Sequence, residues 1–190
     1  MRTLAKIILG VTGIALSLIG IFFLTLPTPS SGNLVSRSMA DSAPGLPIRL
    51  VIPKIKVDAA FDYVGLTTDG AVGVPKGPTN AAWFDLGPRP GQIGTAVIDG
   101  HFGWKDNIPA VFDNLDKLQK GDVIYVKDAT GTTLTFVVSM LKTYGENQDA
   151  SAVFGAGDGK AHLNLITCEG IWNKVQKSYS DRLVVFANKQ

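Results

Sequence analysis

The stretch that decides the fold runs from residue 162 to residue 187. It opens on His162-Leu163-Asn164-Leu165-Ile166-Thr167-Cys168, passes through Glu169-Gly170, and closes on Arg182-Leu183-Val184-Val185-Phe186-Ala187. Both ends are short apolar runs bounded by turn residues, which is the pattern of strands and not of an amphipathic helix. Working outward, similar runs recur at 48–52, 59–64, 95–100, 122–127 and 132–142. Lys127-Asp128-Ala129-Thr130-Gly131 supplies turn residues between two of them and predicts a hairpin there. Residues 110–120 carry Val111, Phe112, Leu115 and Leu118 at a spacing that predicts a short helix or helical turn, ending before Gly121. Many short strands with few helices predict an all-β barrel or sandwich.

Composition narrows the function classes. Of 190 residues, 45% are hydrophobic and 18% charged, which excludes a disordered chain. One cysteine excludes an internal disulfide framework and any multi-cysteine metal cluster, and two histidines leave little for a histidine-based metal site. Three of the 18 bases (Arg2, Lys6, Arg37) and one of the 16 acids (Asp41) precede residue 46, so the remainder is neutral. It shows no basic stripe, which argues against a nucleic-acid partner.

The N-terminus reads differently. Residues 7–26, IILGVTGIALSLIGIFFLTL, are 20 residues without a charge. At ~1.5 Å per residue that length spans the ~30 Å hydrocarbon core of a bilayer. Arg2 and Lys6 precede it and the next basic residue is Arg37, so the rule of positive residues inside predicts a cytoplasmic segment 1–6 and an outer domain. A cleaved signal peptide is the rival, but its apolar region is normally ~7–15 residues, and the small residues Ala40 and Ala43 stand far beyond the apolar stretch. Residues 27–47 are rich in Pro, Ser and Gly and predict a flexible stalk, which leaves 48–190 as the folded domain.

The lone Cys168 is the first candidate for chemistry. Free cysteines are often inert buried thiols. Outside the cell, however, an unpaired thiol risks oxidation, so its retention suggests use. A nucleophilic cysteine needs a base or cationic partner. His162 lies six residues upstream on the same predicted strand, roughly 20 Å away at ~3.3 Å per residue, and is out of reach. His101 ends a different apolar run, 95–100, and a neighbouring strand could bring it beside Cys168. Arg182 opens the last run; if that strand pairs antiparallel with the cysteine strand, its guanidinium lies near the sulfur and can stabilise an oxyanion. The plain alternatives are a turn histidine for His101 and a surface ion pair for Arg182, for instance with Asp181.

The order His101, then Leu165-Ile166-Thr167-Cys168, then Arg182-Leu183-Val184 resembles the sortase family. Trp83-Phe84-Asp85-Leu86-Gly87-Pro88-Arg89-Pro90-Gly91, leading into Gly94-Thr95-Ala96-Val97-Ile98-Asp99-Gly100-His101, looks most like class F, with classes E and D next. The resemblance implies an eight-stranded sortase-like β-barrel with short helices and the site in a groove at one end. It implies a single-pass, membrane-anchored cysteine transpeptidase on the outer face of a Gram-positive-type cell. Cys168 would attack the Thr–Gly bond of an LPXTG-type C-terminal sorting signal on a surface protein, forming a thioester. His101 would serve as acid and then base. Arg182 would bind substrate and the oxyanion, with Thr167 and the backbone N–H of Glu169 as further substrate-binding positions. The acceptor would be an amine of a peptidoglycan precursor or of another protein. No cofactor and no metal are implied. One departure is Phe102-Gly103-Trp104 after His101, which bears on groove shape.

Two other readings fit parts of the pattern. An L,D-transpeptidase of peptidoglycan places a histidine directly before a Gly-Cys pair, whereas Thr167 precedes Cys168 here. A membrane-tethered β-barrel binding module without chemistry would bury Cys168 away from His101. Gly155-Ala156-Gly157-Asp158-Gly159-Lys160 lacks the spacing and the hydroxyl of a phosphate loop and reads as a plain loop.

Overall fold

The computed structural model describes residues 43–145 and 148–190. The anchor expected at 7–26 and most of the expected stalk lie outside the described residues. Among the described residues no helix is long and apolar enough to cross a membrane.

Eight strands form a closed barrel: β1 (Pro47–Ile52), β2 (Val57–Val64), β3 (Ala81–Phe84), β4 (Gly94–Asp99), β5 (Val123–Asp128), β6 (Thr133–Gly145), β7 (Ala161–Asn173) and β8 (Ser178–Lys189). Around the barrel the order is β1-β2-β3-β4-β7-β8-β6-β5. Closure leaves the sheet without free edges. Most neighbours are antiparallel, but β2 with β3 and β4 with β7 run parallel. The second parallel pair fixes the site, because β4 and β7 then emerge at the same end of the barrel.

The period-2 pattern sorts side chains onto two faces. Ala96 and Ile98 of β4, Leu163 and Leu165 of β7, and Leu183, Val185 and Ala187 of β8 point inward to the main core with Leu50, Ile124 and Phe136. The alternate residues of β7 and β8 face outward. There Val184 packs with Tyr144 and Val153, flanked by Ile166 and Phe186, as a second, smaller cluster. A bulge between Val138 and Met140 changes the phase of β6. It lets Leu141 pack on the main core while Tyr144 joins the outer cluster. Val153, which covers that cluster, comes from a single 3-10 turn (Ser151–Val153) in the β6–β7 connection.

The expected strands are present with shifted ends, and the β5–β6 hairpin turns at Gly131 with a positive φ of 87°. Three differences have physical causes. The helix expected over 110–120 is a set of turns with one 3-10 segment, Leu115–Lys117. Its apolar residues are buried as expected, with Phe112 and Leu115 at 0% exposure, but three residues carry the helical geometry. Strand β3 had no sequence signal because it is only Ala81-Ala82-Trp83-Phe84 and all four are buried or partly so, so alternation is absent. The loop expected between 169 and 181 is instead a continuation of β7 and β8 into a hairpin, with Trp172 paired to Tyr179 and Asn173 to Ser178. A bulge between Glu169 and Trp172 breaks its alternation. Gly170 sits in that bulge with φ 86°, and a side chain there would collide with Asp181 and Ser180.

Candidate active site

Strands β7 and β8 and the loop that leaves β4 bring the three expected catalytic side chains to one cleft. The β4–β7 parallel register pairs Asp99 with Ile166. Gly100 continues it by donating its N–H to the Ile166 carbonyl at 3.0 Å. His101 follows Gly100 in the loop that leaves β4, and it lines the same cleft as Cys168. On the other side, β7 and β8 pair antiparallel with Cys168 directly opposite Arg182. His101, Cys168 and Arg182 all line one cleft of about 630 Å3 on the outer face of the barrel. Its far wall is built by Val72 and Val74 on one side and by Val153 and Phe154 of the β6–β7 connection on the other.

Each side chain is held by specific contacts. The Nε2 of His101 lies 2.8 Å from the Pro75 carbonyl. A carbonyl only accepts, so Nε2 carries the proton and Nδ1 is the nitrogen left to exchange one. The imidazole also rests against Trp104, ring centres 4.7 Å apart, and Phe112 donates its N–H to the His101 carbonyl at 3.0 Å. The approach to His101 requires glycine at 100, because a side chain there would enter the ring of Phe112. The loop beyond is pinned by Asp113, whose carboxylate accepts from the N–H groups of Gly103 and Ala110. Arg182 donates from Nη1 to the carbonyls of Tyr179 at 3.0 Å and Asp181 at 2.8 Å. That fixes one corner of the exposed guanidinium and leaves the rest of its fork open to the cleft.

Electrostatics at the sulfur pull in two directions. Burial pushes the Cys168 thiol above its ordinary range; Arg182 pulls it back down, and the Asp99 carboxyl pushes it up. Asp99 faces the same cleft, and burial raises its own carboxyl to about 7 against the downward pull of Arg182. The thiol is therefore the resting form at neutral pH.

One expected substrate-binding position is placed elsewhere. Thr167 is not on the cleft wall. It alternates inward, is 2% exposed, and donates its hydroxyl to the Gly100 carbonyl at 2.7 Å. Its contribution is to tie the end of β4 to β7 and so to hold His101 in register. The Glu169 carboxylate turns to Thr143, whose hydroxyl donates to it at 2.7 Å. His162 is remote from the cleft and contacts Asn188 and Asp158 instead, each at 2.9 Å. Asp99 was not singled out from the sequence. The available signal was an acid inside an otherwise apolar run, two residues before His101 and therefore on its face. Among the described residues no group of three or more His, Cys, Asp or Glu side chains could hold a metal ion.

A family model of the sortase domain matches residues 50–190. No curated protein is similar enough to be matched. Among solved structures, sortase C-1 of Actinomyces oris is 25% identical with a TM-score of 0.56, over 75% of this chain and 72% of that one. A lid mutant of sortase A from Corynebacterium diphtheriae is 22% identical with a TM-score of 0.59, over 79% and 73%. Sortase C of Clostridium perfringens is 21% identical with a TM-score of 0.56, over 77% and 71%.

Proposed function

We propose, from the premise that the chain belongs to the sortase family, that it is a membrane-anchored transpeptidase joining surface proteins to an amine through a Cys168 thioester. The observation that carries this reading is that Cys168 and Arg182, paired across β7 and β8, line one cleft together with His101 from the loop just after β4.

The reaction follows from that placement. A peptide carrying an LPXTG-type signal lies in the cleft with the carbonyl of its Thr–Gly bond at the sulfur. Burial holds Cys168 as a thiol, so His101 takes its proton through Nδ1 as the sulfur attacks. The open part of the Arg182 fork meets the oxygen that becomes negative, where a fixed cation contributes most. The imidazolium then gives its proton to the leaving glycine amine, and the C–N bond breaks to leave a thioester. An incoming amine, from a peptidoglycan precursor or another protein, loses its proton to His101 as it attacks. The thioester breaks, the new amide forms, and the sulfur leaves as thiolate to regain a proton.

The apolar segment 7–26 serves as a single-pass anchor with its N-terminus in the cytoplasm, and the residues from 27 to the start of the folded domain as the stalk that sets the catalytic domain outside a Gram-positive-type cell. The expected stalk end at 47 is too late, since Pro47 opens β1 and Pro44, Gly45 and Leu46 are hydrogen-bonded to the domain. Within the family, the run from Trp83 to His101 is most like class F. The test is full-length protein in detergent, incubated with a fluorogenic LPXTG-type peptide and an amine. Cleavage with formation of the amine adduct is expected. No cleavage, or cleavage that persists in Cys168→Ala, overturns the reading.

A further inference from the structure

Asp99 is an acid of this cleft that the proposed reaction leaves without a task. It stands on β4 two residues before His101, on the same outward face, and is paired across the sheet with Ile166. That makes it the diagonal neighbour of Cys168, two residues further along β7, a separation over which side chains interact. Ala82 of β3 flanks it on the other side and offers no charge. The titratable groups that line the cleft with it are Asp69, His101, Tyr144, Cys168, Tyr179 and Arg182. Among the described residues no hydrogen-bond donor reaches its carboxylate, and no ion pair forms with Arg182, whose Nη1 is committed to main-chain carbonyls. An acid placed among apolar strand residues, unpaired, next to a nucleophile, has no structural task to explain it.

We propose that Asp99 is a positioning residue that acts through Cys168: its carboxylate in the cleft, when ionised, adds to burial in holding the resting nucleophile as a thiol, opposing Arg182, until His101 takes the proton. The inference rests on the reading of Cys168 as a nucleophile. It gives the arrangement a purpose. An unpaired cysteine outside the cell is consumed by oxidants and stray disulfides at a rate that follows its thiolate fraction. Burial lowers that fraction and the Arg182 cation raises it. A carboxylate beside it restrains the sulfur between turnovers. The direction of its influence on the thiol agrees, as does the proximity of its own titration to neutral pH.

The test needs no substrate, because Cys168 is the sole cysteine and its alkylation reports on it alone. Full-length protein in detergent micelles is treated with iodoacetamide from pH 6 to 10 and read by intact mass. Asp99→Asn and Asp99→Ala should both move the alkylation midpoint to lower pH, with about threefold or greater acceleration at pH 8, as a half-unit shift gives. Asp99→Glu, which keeps the charge, should retain the wild-type profile. Thermal melts establish that each variant is folded. Neutral variants whose profiles superimpose on wild type overturn the proposal, and so does a charged variant that shifts as far as the neutral ones. Failure of the wild-type protein to cleave the sorting peptide would overturn the transpeptidase reading while leaving this profile measurable. Superimposed profiles with cleavage intact would remove the role of Asp99 alone.

Discussion

The two faces of β7 are built from the same seven-residue run and do opposite work. Leu163 and Leu165 point into the barrel, at 0% exposure, against the apolar side chains of every neighbouring strand. Ile166 and Cys168 point outward, to a smaller cluster and an open cleft, and Asn164 on the same face donates to the Val153 carbonyl. The inward face has many partners, so its residues are fixed by volume and are exchangeable for others of like size. The outward face at the barrel end has few, so its residues are free to carry charge and a reactive sulfur. A strand can therefore anchor a nucleophile rigidly because its alternate side chains are locked in the core.

That contrast predicts opposite outcomes for changes on each face. The largest effect on stability belongs inside. Leu165→Ala should lower the unfolding free energy by about 2–5 kcal/mol, seen as a reduced melting temperature, while the folded fraction keeps its turnover rate. Outside, Arg182→Lys should reduce kcat/KM for the sorting peptide by about 100-fold, since the fork geometry is lost with the charge retained. Its melting temperature should stay within a few degrees of wild type, because Arg182 is exposed. Turnover equal to wild type in this variant would remove the guanidinium from the oxyanion step.

Asp99 shows the cost of placing charge on the outer face. Its carboxyl is raised from 3.8 to about 7 in the folded protein. Across that interval the folded state keeps a proton that the unfolded chain has released, so its contribution to stability falls as pH rises from about 4 through 7. Asp99→Asn should accordingly be more stable than wild type at pH 8, by about 1–3 kcal/mol, with the difference shrinking toward pH 4. The smallest effect is expected at the seam between the faces. Thr167→Val removes the bond to the Gly100 carbonyl and should cost about 1 kcal/mol, with a modest fall in kcat as the end of β4 loosens around His101.

The three residues that meet in the candidate site could be picked out of the sequence because each sits at the end of an apolar run. In the sequence Cys168 and His101 end two apolar runs and Arg182 opens a third, and Cys168 is a cysteine without a disulfide partner. Their closeness depended on β4 running parallel to β7, which no local pattern specifies. Strand β3 was silent because four buried residues carry no alternation, and the β7–β8 hairpin was hidden by the bulge at Gly170. Thr167 was misplaced for a related reason: its position next to Cys168 suggested the cleft, but adjacent strand residues face opposite sides. Asp99 followed the opposite rule, sharing a face with His101 at a distance of two, and was passed over because an acid in a strand reads as a surface residue.

The central claim is that Cys168 forms an acyl-enzyme with the sorting peptide. The direct measurement is intact mass spectrometry of the full-length protein incubated with an LPXTG-type peptide and no added amine. One adduct is expected, with the mass of the peptide up to its threonine, mapped to Cys168, released by hydroxylamine and absent from Cys168→Ala. Cleavage of the peptide by the wild-type protein with no such adduct under rapid acid quench, or an adduct that survives the loss of the sulfur, would contradict it.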